Sequence, residues 1–240
     1  MIAITFALPV ESSDLVRRLE SKRIEFAGNI KIVHGRLQNR EVAIVHTGVG
    51  RKNCERHINA LLTSVRPEIL ISSGFAGSLT ADLNVGDLIV AKNYSDPALI
   101  ARLMEGEAFP SKQLRVRAVK LATVELMVDS MEERARLAHE HGADAVDMET
   151  EIIAQKCAKH GIPMLSLRVI SDSPTAPFPA PPHVLFDVAR QRPIFSKLIR
   201  YVVMHPSAIV MLLRFSRFIS RIRAHLAGSI VYAVAKIRVT

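Results

Sequence analysis

Cysteine is scarce. Cys54 and Cys157 are the only two in 240 residues and stand far apart with no paired spacing. That excludes a disulfide framework and a zinc-finger ligand set, and it predicts two buried thiols in a reducing compartment. The chain also lacks any run of about eighteen apolar residues, the length a spanning helix needs. The closest approach, Leu198 to Leu213, is interrupted by Arg200, His205 and Pro206, which argues against a membrane span. The amino-terminal run from Ile2 has no basic leader and is followed by Glu11, so it does not read as a secretory signal, and cytoplasmic retention is expected. Glycine and proline, at 11 and 12 residues, stay near ordinary usage, which sets aside collagen-like and low-complexity chains. The nine histidines are scattered without ligand spacing, so no metal or other cofactor is expected.

Acid is missing from one end. From Gln191 to Thr240 there are nine basic residues and no Asp or Glu, so the whole net charge of +9 resides there and the rest is neutral. A neutral body with a basic tail points to an anionic surface, membrane or nucleic acid. The basic segment carries no base-stacking platform motif, which argues against nucleic acid. What remains is an ordinary globular composition, 49% apolar and 23% charged, enough for one sizeable α/β domain or two small ones.

Apolar runs of strand length recur at Ile2 to Leu8, Lys31 to Val33, Val42 to Thr47, Ile69 to Ser73, Leu88 to Ala91, Ala143 to Val146 and Met164 to Ile170. Most are continuous rather than alternating, as in strands buried on both faces. Helix patterns lie between several of them. Cys54, Ile58, Leu61, Leu62 and Val65 form one stripe, and Met148 to His160 forms another helix with Gly161 as its left-handed cap. Two more helices are expected around Glu11 to Lys22 and Ser130 to Glu140. The fold class expected is α/β, a three-layer sandwich with a mostly parallel mixed sheet. Residues 1–182 form the catalytic domain in this reading, and residues 183–240 form a basic, apolar, partly helical extension.

In such sheets ligands sit beyond the carboxyl ends of the strands. Glu11, Asp147, Glu149 and Asp172 all fall just after apolar runs. Paired carboxylates suit rupture of an N-glycosidic bond, where a leaving base must be protonated while an oxocarbenium-like sugar is steadied. Each acid also has a plainer use. Glu11 and Glu149 could be first-turn helix acids, and Asp172 with Ser171 and Ser173 could be a turn cluster. Asp87, in Val85-Gly86-Asp87, reads as a strand-entry turn residue, and Gly48, Gly50, Gly74 and Gly77 could simply make tight turns.

Four blocks in series carry a resemblance: Ala7-Leu8-Pro9-Val10-Glu11, then Thr47-Gly48-Val49-Gly50, then Ser73 to Ser78 with Val85-Gly86-Asp87, then Val146-Asp147-Met148-Glu149 with Arg168 to Asp172. Together they span about seven-tenths of the chain. They resemble the nucleoside phosphorylases and nucleosidases, and within these the 5'-methylthioadenosine/S-adenosylhomocysteine nucleosidases. The resemblance implies that Asp172 donates a proton toward N7 of a purine and that Glu11 positions the attacking water. It further implies that Glu149 binds the ribose hydroxyls, that Met148 packs under the sugar, and that Phe75, Ala76 and Gly77 line the substrate site. The segment that stacks on the base falls within Thr123 to Met127, an acid at Asp172 favours a 6-aminopurine, and a homo-oligomer is implied.

Two departures bear on the nucleophile. Phe75 stands where the family has a small or hydroxyl residue, and Ser72 stands where phosphorylases have an Arg. A phosphate dianion needs cationic or N–H partners, so water is favoured over phosphate. Phosphorolysis, and membrane-surface binding without catalysis, are the alternatives.

In the tail, Met211, Leu212, Phe215, Phe218, Ile219, Ile222 and Leu226 fall on one helical stripe, with Arg214, Arg217 and Arg221 toward the other side. That pattern serves an interfacial helix touching a membrane through residues 207–226, a core helix, or a dimer interface. With Arg192-Pro193 and His205-Pro206 ahead of it, the tail resembles that of the hopanoid-associated nucleosidases. This second resemblance implies an adenosyl-bearing polycyclic lipid, such as adenosylhopane, as substrate, and a place on the inner face of the membrane.

Overall fold

The structure, a computed structural model, describes residues 1–105, 116–128, 130–176, 186–187, 192–193 and 208–237. The order is β1 (Ile2–Phe6), α1 (Pro9–Arg18), β2 (Glu20–Ala27), β3 (Ile30–Leu37), β4 (Arg40–His46), α2 (Arg51–Val65), β5 (Ile69–Ser78), β6 (Leu88–Ala91) and α3 (Pro97–Met104). It continues with β7 (Val116–Val119), β8 (Leu121–Thr123), α4 (Met131–His141), β9 (Ala145–Asp147), α5 (Thr150–Lys159) and β10 (Met164–Asp172). A short pair, β11 (Phe186–Asp187) and β12 (Arg192–Pro193), precedes the last helix, α6 (Ala208–Lys236). His205-Pro206 and most of the linker to the tail lie outside the described residues.

The expected α/β sandwich is present, with a ten-stranded mixed sheet in the order β2-β3-β4-β1-β5-β10-β6-β7, to which β9 adds beside β5 and β8 beside β9. Its centre is parallel: β4, β1, β5 and β10 run the same way. The central strands β1 and β10 are buried along their whole length, which is why their sequences read as unbroken apolar runs. One face is covered by α1, α3 and α6, whose Leu15, Leu99, Leu103, Leu226 and Ile230 share a core with Ile4, Ile71 and Leu167. The other is covered by α2 and α5 through Cys54, Ile58, Leu61, Ile153 and Cys157. Both cysteines are buried free thiols.

Differences from the sequence reading have local causes. The helix expected from Glu11 to Lys22 stops at Arg18 and the chain enters β2, an exposed strand without an apolar pattern to announce it. Strand β5 continues five residues past Ser73, beyond the apolar run, because its far end pairs with β10 and β9. The tail stripe is used mainly for the core. Ile222, Leu226, Ala227, Ile230, Ala233, Val234 and Ile237 pack in the sheet's own cluster, while Met211 is 52% exposed. Helix α6 is tied down by polar contacts as well. Arg223 pairs with Asp14, Arg18 Nη2 donates to the Ala224 carbonyl at 3.3 Å, and Arg40 donates to the Val234 and Ile237 carbonyls near the helix end. Among the described residues no helix is long and apolar enough to cross a membrane.

Candidate active site

Register places the acids. Phe6 pairs with His46 at the carboxyl end of the parallel centre, so Ala7 to Glu11 and Thr47 to Gly50 leave the sheet side by side. Gly77 pairs with Val146 on one side and lies opposite Asp172 on the other. Thr123 pairs with Asp147, which brings the segment after β8 to the same end. Five connections therefore converge beyond the carboxyl ends of the strands, where this architecture binds ligands.

A cavity of about 340 Å³ occupies that point. Glu11, Glu149, Asp172 and Met148 line it, and so do Phe75, Ala76 and Gly77, so every residue expected at the site is brought to one place. Val124, Leu126 and Met127 line it as well, within the segment expected to stack on a base.

Glu11 sits in the first turn of α1 as the N3 acid of a capping box, and a strand shares in holding it. The Leu8 N–H donates to Oε2 at 2.8 Å and the Phe75 N–H donates to Oε1 at 3.0 Å, clamping the carboxylate between α1 and β5. Gly74 makes this possible. Its φ is +147°, and a Cβ there would lie 2.7 Å from Arg168 Nη1 and 2.8 Å from Glu11 Oε1. A side chain would fill the space in which those two groups converge.

Glu149 is the N-cap residue of α5, yet its side chain makes no cap bond: Oε1 accepts the Gly50 N–H at 3.1 Å. Asp147 does the structural work two residues earlier. It accepts the Thr150 N–H and the Thr123 hydroxyl, the latter at 2.8 Å, and pairs with Arg168 at 3.0 Å. Arg168 also donates to Ser72 Oγ at 2.9 Å and Thr150 Oγ1 at 2.8 Å. The Ser72 position, where a phosphorylase would have its Arg, is thus engaged in holding Arg168.

Asp172 ends β10. The Ser171 hydroxyl donates to its Oδ1 at 2.6 Å and Arg134 Nη2 donates to its Oδ2 at 2.5 Å. Asp87, by contrast, accepts the Asn84 N–H in a turn, as its sequence context predicts.

The carboxyls of Glu11, Glu149 and Asp172 are all shifted upward, and burial is the leading cause in each. The Glu149 carboxyl is pushed up to about 8, with the charge of Asp147 adding to desolvation. Burial raises Glu11 against the opposing N–H donors of Leu8 and Phe75 and the charge of Arg168. Burial also raises Asp172, opposed by the Ser171 hydroxyl and Arg134. Carboxyl groups held neutral near neutral pH can donate protons, and clustered ones can divide acid and base roles.

Two contributions come from residues outside the expected site set. Phe215 and Ile219 of α6 line the cavity, so the tail reaches the site itself. Arg134, 2% exposed, touches Asp172 from α4. Its signal in the sequence was its place three residues before buried Leu137, on the helix face otherwise turned inward.

Comparison with known proteins agrees with this architecture. The family model described as "Phosphorylase superfamily" matches residues 1–96 and 92–200. The 5'-methylthioadenosine/S-adenosylhomocysteine nucleosidase of Staphylococcus epidermidis is 26% identical over 198 residues, covering 72% of this chain and 86% of that protein. Its Staphylococcus aureus counterpart is 27% identical over 196 residues, with the same shares covered. Among solved structures, the Campylobacter jejuni nucleosidase of the same description aligns with a TM-score of 0.75 at 18% identity, over 98% of this chain and 99% of that one. A futalosine hydrolase of Helicobacter pylori aligns with a TM-score of 0.74 at 19% identity, over 98% and 97%. At such identities these structures are alike in fold.

Proposed function

The chain belongs to the phosphorylase superfamily, and from that premise we propose that it is a purine nucleosidase, hydrolysing the N-glycosidic bond of an adenine nucleoside and releasing adenine. The observation that carries this reading is the convergence of Glu11, Glu149 and Asp172 on one cavity from three different strand ends. Asp172, kept protonatable by burial, gives its proton to the purine N7 as the bond to C1' lengthens. Glu149 faces the ribose hydroxyls. Burial disfavours its carboxylate form, and positive charge growing on the sugar favours that form, so the interaction strengthens toward the transition state. Glu11, clamped by two N–H groups, orients the water that attacks C1'. Met148 packs under the sugar, and Phe75, Ala76 and Gly77 wall the site on the β5 side.

Water is favoured over phosphate as nucleophile. Arg168 engages Asp147, Ser72 and Thr150 through Nη2 and does not line the cavity, and Ser72 offers no charge of its own.

Phe215 and Ile219 support an apolar 5' substituent on the substrate. That group is the thioether of a methylthioadenosine or S-adenosylhomocysteine type, or the polycyclic chain of an adenosyl lipid. Exposed Met211, Arg214 and Arg217 at the start of α6 suit the second, placing apolar and cationic groups where an anionic bilayer would meet the protein at the cytoplasmic face. Adenine release is to be measured on methylthioadenosine, S-adenosylhomocysteine, adenosine and detergent-solubilised adenosyl lipid, without and then with phosphate. Release without phosphate is expected. A strict need for phosphate would make the enzyme a phosphorylase, and no release from any of the four would leave a binding protein.

A further inference from the structure

The environment of Asp172 holds a residue that the reading above leaves without a task. Arg134 projects from the inner face of α4, is sealed from solvent, and does not line the cavity. Three elements receive its guanidinium. Nη1 donates to the Ser78 carbonyl at 2.6 Å, and Nη2 donates to the Val128 carbonyl at 3.2 Å and to Asp172 Oδ2 at 2.5 Å. Gly77 opens the space for this pair, since a Cβ there would lie 3.0 Å from Asp172 Oδ2 and 3.4 Å from Arg134 Nη1. A buried cation is expensive unless it is paired and hydrogen-bonded, and here the end of β5, the segment after β8 and the carboxylate that ends β10 all help to hold it.

We propose that Arg134 is the positioning residue for the acid of the reaction, holding Asp172 by Oδ2 so that Oδ1 carries the transferable proton. A guanidinium stays protonated at any working pH, so Oδ2 faces a fixed donor, and a proton on Oδ2 in place of Oδ1 would weaken that charge-assisted bond. Rotation of the carboxyl about its Cβ–Cγ bond would exchange the two oxygens, and Arg134 blocks it. Ser171 completes the arrangement: its hydroxyl donates to Oδ1 while that oxygen is charged. Once Oδ1 is protonated, the hydroxyl can turn and offer a lone pair instead. In the reaction the O–H bond at Oδ1 breaks as the N7–H bond forms, and the carboxylate left behind is stabilised by Arg134.

Arg134 also has an electrostatic consequence. Burial favours the neutral acid and the guanidinium favours the carboxylate, so the residue limits how far up the pH scale Asp172 stays protonated. This inference rests on Asp172 being the acid, as proposed above.

The test uses the full-length chain and whichever of methylthioadenosine, S-adenosylhomocysteine and solubilised adenosyl lipid it cleaves fastest. Rates of adenine release are followed against pH for the unaltered chain, Arg134→Met, Arg134→Lys and Asp172→Asn, the last assigning the alkaline limb to Asp172. In Arg134→Met the limb is expected to move upward by about one pH unit or more, a tenfold change in the acid's proton affinity. The kcat is expected to fall about tenfold or more while KM changes by less than about threefold. Arg134→Lys, which keeps the charge but loses the fork, should retain the limb and lose kcat. A folded Arg134→Met with its limb unmoved would overturn the proposal. If that variant does not fold, full kcat in Arg134→Lys would overturn it. Failure of the underlying reading looks different: the unaltered chain then releases no adenine, or Asp172→Asn remains active, and Arg134 has no acid to position.

Discussion

Asp147 and Arg168 stand 3.0 Å apart, both buried, and their pairing separates two acids that the sequence sets only two residues apart. Both line the cavity, but Asp147 spends its oxygens on Arg168, Thr150 and Thr123, whereas Glu149 accepts one backbone N–H. Removing one partner of a buried pair leaves the other charge stranded, at a cost of about 3–5 kcal/mol. Asp147→Ala is therefore expected to lower stability by that order, read from the midpoint of denaturant unfolding. Asp147→Ala combined with Arg168→Met should recover part of the loss. Simple addition of the two losses would mean the pair is not coupled.

Asp172→Asn keeps the shape of the side chain and removes the transferable proton. Adenine release is expected to fall by about two to four orders of magnitude, the range lost with a general acid. Near-ultraviolet circular dichroism should show an unchanged fold. Turnover close to normal would remove the acid role from Asp172.

The Glu149 carboxyl makes stability depend on pH. Its pKa is raised from 4.5 to about 8 on folding, so the folded chain holds this proton more tightly than the unfolded one. Its contribution is present in full below the ordinary carboxylate range and drains away as pH rises through about 8. Melting temperature is thus expected to fall between about pH 4.5 and pH 8 and to level off above that, and Glu149→Gln, which has no proton to lose, should flatten that fall. An equal slope in the two proteins would show that Glu149 does not titrate there.

Gly74→Ala is a stringent test of how the site is built. The backbone φ of +147° is costly for alanine, about 1–3 kcal/mol, and the added methyl would meet Arg168 and Glu11. Activity is expected to drop further than stability, because the displaced group is the carboxylate assigned to water. A variant with normal kcat would separate Glu11 from the chemistry.

Legibility in the sequence followed the physics of each element. The buried parallel strands were readable because burial on both faces leaves continuous apolar runs, and with them came the strand ends that carry Glu11, Glu149 and Asp172. Strand β2 was not, because an exposed edge strand has no reason to be apolar. The two uses of the α6 stripe could not be told apart by periodicity. A helix that packs Ile222 and Leu226 on a sheet has the same pattern as one that rests on lipid, and only tertiary packing separates them. Arg134 was hidden for a related reason: a charged residue on an inward face is recognised by its partners, and Asp172 lies 38 residues away.

That packing decides how the membrane question should be asked. Cutting the chain ahead of α6 would remove Leu226, Ile230 and Val234 from the core, so loss of activity by a truncated protein would say nothing about lipid. Substitutions confined to the exposed start of the helix leave the core intact. Arg214→Glu with Arg217→Glu, and separately Met211→Ser, change residues that face solvent. Each juxtamembrane basic residue is worth about 1 kcal/mol at an anionic surface, so reversing two should weaken sedimentation with phosphatidylserine-containing vesicles by well over tenfold. Hydrolysis of a soluble thioether nucleoside should be unchanged, while cleavage of a vesicle-borne adenosyl lipid falls. If both substrates lose rate equally, or if vesicle binding is indifferent to the reversal, α6 serves the core and the cavity alone, and the substrate does not arrive from a bilayer.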